Sequence, residues 1–174
     1  FDSNNNFVYT VRARGGSSST FQKVLYRDAM TATTTVAFQM GDPILGLIDA
    51  SPNPSGDETF GNSVGSVHLL DDGTIGSQDS TIQNIRSLRR PAIMYDDAAI
   101  HQTNVSSVAG LGGVGTPTLA TINANTFYSS ADGGHRIFSG RVNGFTSTTD
   151  DVLVVDDEVV MQEGSLIPGS SVTF

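Results

Sequence analysis

Asp2, Asn4 and Asn6 stand at the alternate spacing with which a calcium loop of the Asp-x-Asn-x-Asn kind begins. The glycine expected next is Phe7, and the position of the closing Glu is Ala13. The run therefore reads as an Asx-rich turn between strands, with calcium as the competing reading. Paired acids recur at Asp71-Asp72, Asp96-Asp97, Asp150-Asp151 and Asp156-Asp157. Such pairs suit cation ligation or acid–base chemistry, but neighbours in a strand point to opposite faces, so a pair alone makes no two-carboxylate site. Three of the pairs fall at strand ends and turns, which predicts a structural role. His68, His101 and His135 are too far apart in sequence for a close-spaced metal motif. No Gly-x-Ser-x-Gly elbow accompanies the many Ser and Asp residues. The glycine-rich run Gly110-Leu111-Gly112-Gly113-Val114-Gly115 is followed by no helical pattern and reads as a loop rather than a phosphate cradle. Arg86-Ser87-Leu88-Arg89-Arg90 is the one basic cluster, expected as a solvated strand end or a contact for an acidic neighbour. Asn104-Val105-Ser106 has the pattern of an N-glycosylation acceptor. No residue is assigned a catalytic, cofactor-binding or metal-binding role.

The elements that would carry these residues are strands. Only 37 % of the 174 residues are hydrophobic, 19 are Gly, and Ser and Thr are abundant. That mixture predicts short strands joined by polar turns. The formal charge is −9, from 18 Asp+Glu against 9 Lys+Arg, a field that repels phosphate backbones and argues against nucleic acid. There is no cysteine, so neither a disulfide framework nor a thiolate metal site is expected. No run approaches the ~18–20 apolar residues of a membrane span. The chain opens on Phe1, which reads as a processed chain or a piece of a longer one.

An internal repeat organises the strands. Apolar runs end in acidic corners at Val24-Leu25-Tyr26-Arg27-Asp28, Ala92-Ile93-Met94-Tyr95-Asp96-Asp97 and Val152-Leu153-Val154-Val155-Asp156-Asp157. Each is followed by a second run, Thr35 to Gly46, Ala98 to Asn104 and Glu158 to Gly169. The middle run places Asn104 where the others have glycine, as suits a backbone at positive φ. Upstream lie further strand candidates: Phe7 to Arg14, Ser66 to Ile75, Thr81 to Arg86, Thr118 to Phe127 and His135 to Val142. Gly-rich connections through Leu47 to Gly65 and Val105 to Pro117 are expected to interrupt strand. Reading Ser171-Val172-Thr173-Phe174 as continuing into Phe1-Asp2-Ser3 reproduces the pattern Ser66 to Asp72, giving units 1–69, 70–121 and 122–174.

The expected fold is all-β: a β-propeller-like array of three four-stranded repeats, closed by strand between the termini, with a β-trefoil or an open β-solenoid as alternatives. The runs Val152 to Gly164 and Met40-Gly41-Asp42-Pro43-Ile44-Leu45-Gly46 resemble a repeat of uncharacterised propeller-like exported proteins of bacteria with large surface proteins. That resemblance implies an exported surface or matrix role and carries no catalytic residue. Ser130-Ala131-Asp132-Gly133-Gly134 also loosely resembles the Asp-box turn of sialidase-type propellers, a structural hairpin turn.

The function expected is structural: a self-assembling extracellular or cell-surface subunit of a filament, sheath or surface layer, using strand completion between termini. Its partners would be copies of itself or further repeats of a longer chain. A glycan- or protein-binding module is the alternative, against which stand the 7 % aromatic content and the absence of Trp. A fragment of a propeller hydrolase is the third reading.

Overall fold

The computed structural model describes residues 1–13, 22–44, 58–82, 89–111, 117–167 and 169–174. Short polar turns and alternating apolar residues produce twelve strands and no helix among the described residues. They are β1 (Phe7–Arg12), β2 (Gln22–Arg27), β3 (Thr34–Gln39), β4 (Thr59–Leu69), β5 (Ile75–Ile82), β6 (Arg89–Tyr95), β7 (Ala98–Gln102), β8 (Leu119–Ile122), β9 (Tyr128–Ser129), β10 (Arg136–Val142), β11 (Asp151–Val155) and β12 (Glu158–Gln162). All pairings between them are antiparallel.

The strands form three sheets: β1-β2-β3, then β4-β5-β6-β7, then β12-β11-β10-β8 with β9 also on β10. None closes into a barrel, the element on which a trefoil is built. The middle sheet is covered on both faces, and β6 shows it. Ala92, Ile93 and Met94 are consecutive and all fully buried, which in a strand requires packing on both sides. Ala92 and Met94 pack with Val24 and Phe38 of the first sheet, whereas Ile93 joins Phe138, Val152 and Val154 of the third.

Three sheets share one construction plan. Their last strands, β3, β7 and β12, each carry a bulge at the same place, after the pairs Val24↔Phe38, Ile93↔His101 and Leu153↔Met161. They end on Gln39, Gln102 and Gln162, and two residues later the backbone turns at positive φ: 91° at Gly41, 60° at Asn104 and 80° at Gly164. Asn104 thus does what the sequence predicts of it, since Asn tolerates the left-handed region that glycine favours. The N–H of each of these residues then donates to Phe60, Leu119 and Phe174, at 2.9, 2.5 and 2.9 Å. Those three residues in turn donate to the carbonyls of Asp42, Ser106 and Ser165, at 3.0, 2.9 and 2.9 Å. In every sheet the turn after the last strand is therefore bonded to a second segment, 58–60, 117–119 or 172–174.

Where three four-stranded repeats closed by strand between the termini are expected from the sequence, the described strands form sheets of 3, 4 and 5 strands. Among the described residues β1 pairs with β2 alone. Further differences are local. The stretch Thr59 to Gly65, expected in a connection, belongs to the eleven-residue β4. Glycine serves the strand here: a Cβ on Gly61 would stand 2.0 Å from the backbone oxygen of Ser80 on β5. Gly61→Ala must push β4 from β5 and is expected to destabilise the fold by about 1–3 kcal/mol, read in denaturant titration. Ile75 and Thr81-Ile82 prove to be the ends of one strand, β5. Thr126 and Phe127 leave strand geometry after the turn at Asn125, and Phe127 plugs the core instead. The terminal residues Val172 to Phe174 pair with the segment from Ser165 to Ile167, through Ile167 N–H to Val172 O at 2.9 Å and the bridge Leu166↔Thr173.

Candidate functional site

The acidic positions resolve into turn chemistry. One Asp2 oxygen accepts the backbone N–H of Asn4 (2.9 Å) and of Asn6 (2.8 Å), and the other accepts the Asn6 side-chain amide at 2.8 Å. Partial burial opposes ionisation of Asp2, yet these hydrogen bonds prevail and hold its carboxyl below the ordinary value. Asp96 and Asp156 play one repeated part. The carboxylate of each accepts the N–H that opens the neighbouring strand, from Ile75 at 2.9 Å and Arg136 at 2.8 Å. Their own N–H groups return a bond to the same two residues, at 2.8 and 3.0 Å. Asp71 accepts from Ser3 N–H (2.8 Å) and Asp72 from Thr74 N–H (2.9 Å).

Asp150, Asp151 and Glu163 are the one group among the described residues whose carboxylates converge closely enough to hold a cation, within 4.8 Å of one another. Arg141 already engages Asp151 at 3.0 Å.

The histidines are dispersed and each is occupied. His68 Nε2 bonds the Phe127 carbonyl at 2.8 Å, and His135 Nδ1 bonds Asp156 at 2.7 Å. Ser130, next to His135 in space, uses its hydroxyl on Asp132 (2.5 Å) and accepts the His135 backbone N–H (2.9 Å), so Ser, His and Asp form no relay here. With Gly133 at φ 70° and the Gly134 N–H on Asp132 at 2.9 Å, Ser130 to His135 is the hairpin turn between β9 and β10.

His101 is different because it ties two sheets together. Its Nε2 donates to Asp157 of the third sheet at 2.7 Å, and its ring lies 4.9 Å from that of Phe138. Arg136 also grips Asp157 through Nε (2.9 Å) and Nη2. Burial holds the His101 ring below the ordinary histidine value although the Asp157 bond pulls it upward. Asp157→Ala leaves a buried ring N–H without its acceptor, and a loss of about 1–3 kcal/mol is expected in thermal unfolding. In the wild type, the depressed folded value makes this region lose stability as pH falls below the ordinary histidine range, because the unfolded ring takes up the proton more readily.

Arg86, Ser87 and Leu88 of the basic cluster and the run Gly112 to Gly115 lie outside the described residues. Arg90 sits on β6 with Nη1 donating to Thr103 O at 3.4 Å. Asn104 is exposed but bonded to Asn143 at 3.3 Å, while the Ser106 hydroxyl is buried and accepts Gln102 N–H at 2.9 Å.

What stands out beyond these clusters is an edge. In the second sheet β5 is flanked by β4 and β6, and in the third β10 is flanked by β8 and β11. Their counterpart β1 pairs with β2 alone among the described residues. Meanwhile the arm 172–174 stands where 58–60 and 117–119 lead into β4 and β8. Phe60 pairs with Thr81 and Leu119 with Val142, so Phe174 occupies the position at which a further first strand begins. Compared with family models, curated proteins and solved structures, the chain matches none. Function must therefore be read from these residues. No helix among those described is long and apolar enough to cross a membrane.

Proposed function

We propose that this protein is a structural, self-assembling subunit of an extracellular or cell-surface filament, sheath or layer, joined to its neighbours by strand completion. The observation that carries the reading is the mismatch between the two ends of the sheet series. Among the described residues the first sheet has no counterpart of β4 and β8, while the arm Val172 to Phe174 displays the start of such a strand. An unpaired edge presents a row of backbone donors and acceptors that another strand can satisfy. In this reading the three sheets are consecutive blades of a propeller-like array, and the blade opened at β1 is finished by a strand from another copy or from a further repeat of a longer chain. The Asp-, Gly-, Ser- and Thr-rich composition and the resemblance to propeller-like exported proteins support the extracellular placement.

Sedimentation of the full chain across a hundredfold concentration range tests the proposal. Assemblies larger than one chain are expected, with a marked loss when residues 172–174 are removed. A strict monomer at the highest concentration would sink it.

A further inference from the structure

Resting on the self-assembly reading, we propose that copies of this chain associate head to tail, the front face of the third sheet seating on the back face of the first. The second copy is identified by equivalence with the interfaces the chain already contains. In the first sheet the front-facing residues at the bulge are Val24 and Phe38, and at the same register the second sheet has Ile93 and His101. All four are buried, against the second and third sheets respectively. Their equivalents in the third sheet, Leu153 and Met161, are only half-buried, with Val155 and Ile137 on the same face.

The receiving face repeats in the same way. Met94 and Ala92 form it in the second sheet, and Val154 and Val152 in the third, all four buried. The first sheet places Leu25 and Lys23 there, opposite Tyr9 and Val11 of β1, with Val36 paired to Leu25. Val36 is 48 % exposed, and Phe1 packs on Phe7 with ring centroids 5.8 Å apart while remaining open to solvent. Each end thus keeps an apolar face of the type that is buried twice inside the chain.

Charge agrees with the direction. Lys23 and Arg27 alternate with Leu25 on the back face, whereas Asp151 alternates with Leu153 on the front face and Glu158 pairs with Val155. Arg141 neutralises one carboxylate of the group Asp150, Asp151 and Glu163, leaving that end acidic. Complementary ends attract the correct pairing and oppose front-to-front or back-to-back contact. Such an interface is heterologous: it closes into a ring where the rotation allows and otherwise extends as a polymer.

Single-face variants test this by mass. Leu153→Asp on the front and Leu25→Asp on the back should each abolish assembly alone. Mixed in equal amounts they should give a dimer and nothing larger, since one intact front meets one intact back. Circular dichroism checks folding, and Met161→Glu with Val36→Glu, the latter at a position 48 % exposed, repeat the pair as a second set. If folded single-face variants assemble like the wild type while removal of 172–174 still abolishes assembly, the face inference is overturned and strand completion stands. A monomeric wild type, expected if other segments or proteins cover the two faces, overturns both. A mixture that stays monomeric overturns the head-to-tail geometry.

Discussion

Asp79→Asn is expected to leave stability near pH 3 almost unchanged and to raise it by on the order of 5 kcal/mol at pH 9, measured by urea unfolding at each pH. Asp79 lies on β5 facing the first sheet, is only 2 % exposed, and has no hydrogen bond of normal geometry to either carboxylate oxygen among the described residues. Burial pushes its carboxyl up to about 8, and the nearby backbone N–H groups of Ser80 and Gly61 offset only part of that. A raised acid value in the folded state means that the folded chain holds a proton the unfolded chain releases. Stability contributed by this group is therefore present below the unfolded value of 3.8, declines as pH rises, and is fully lost above about 8. The counterparts of Asp79 at the same register of β1 and β10 are Val11 and Gly140, neither ionisable, which marks the carboxyl as peculiar to the middle sheet. Parallel pH curves for the two proteins would show that Asp79 ionises in place without penalty.

The second large effect is expected at Phe127. Its ring is fully buried among Ile93, Leu119, Ile122, Phe138 and Val154, and it meets His68 edge-on with centroids 5.4 Å apart. Phe127→Ala removes the plug from the interface between the second and third sheets and should cost about 3–5 kcal/mol. The adjacent Tyr128 is 57 % exposed, and Tyr128→Ala should shift stability by less than about 1 kcal/mol. Denaturant midpoints for the two variants provide the comparison, and equal losses would contradict the packing described.

Much of the strand framework was legible because its signals are local. Alternation in Val24 to Arg27 and Val152 to Val155, and turn residues at the acidic corners, act within a few neighbours. The substitution of Asn104 for glycine was readable for the same reason, since the demand for positive φ is a property of one residue's backbone. Less legible was β4, where glycines that look like loop residues serve a close approach to Ser80 on a strand further along the chain. Phe127 likewise looks like the continuation of a strand, because nothing in its neighbourhood announces the space it fills between the second and third sheets. Among the candidate site residues, Asp96 and Asp156 were recognisable as corner acids. The coupling of His101 to Asp157 was not, since it joins residues 56 apart in sequence whose meeting depends on how two sheets stack.

By itself, then, the sequence determined an all-β chain with a threefold pattern of apolar strands, acidic corners and positive-φ exits, because each of these is set by side-chain chemistry over a few residues. Only the tertiary structure decided that the described strands form three separate sheets, that the middle one is covered on both faces, and that β1 pairs with β2 alone among the described residues. Those facts depend on which faces bury their apolar area against which neighbours, a balance struck between residues far apart in the chain that no local pattern encodes.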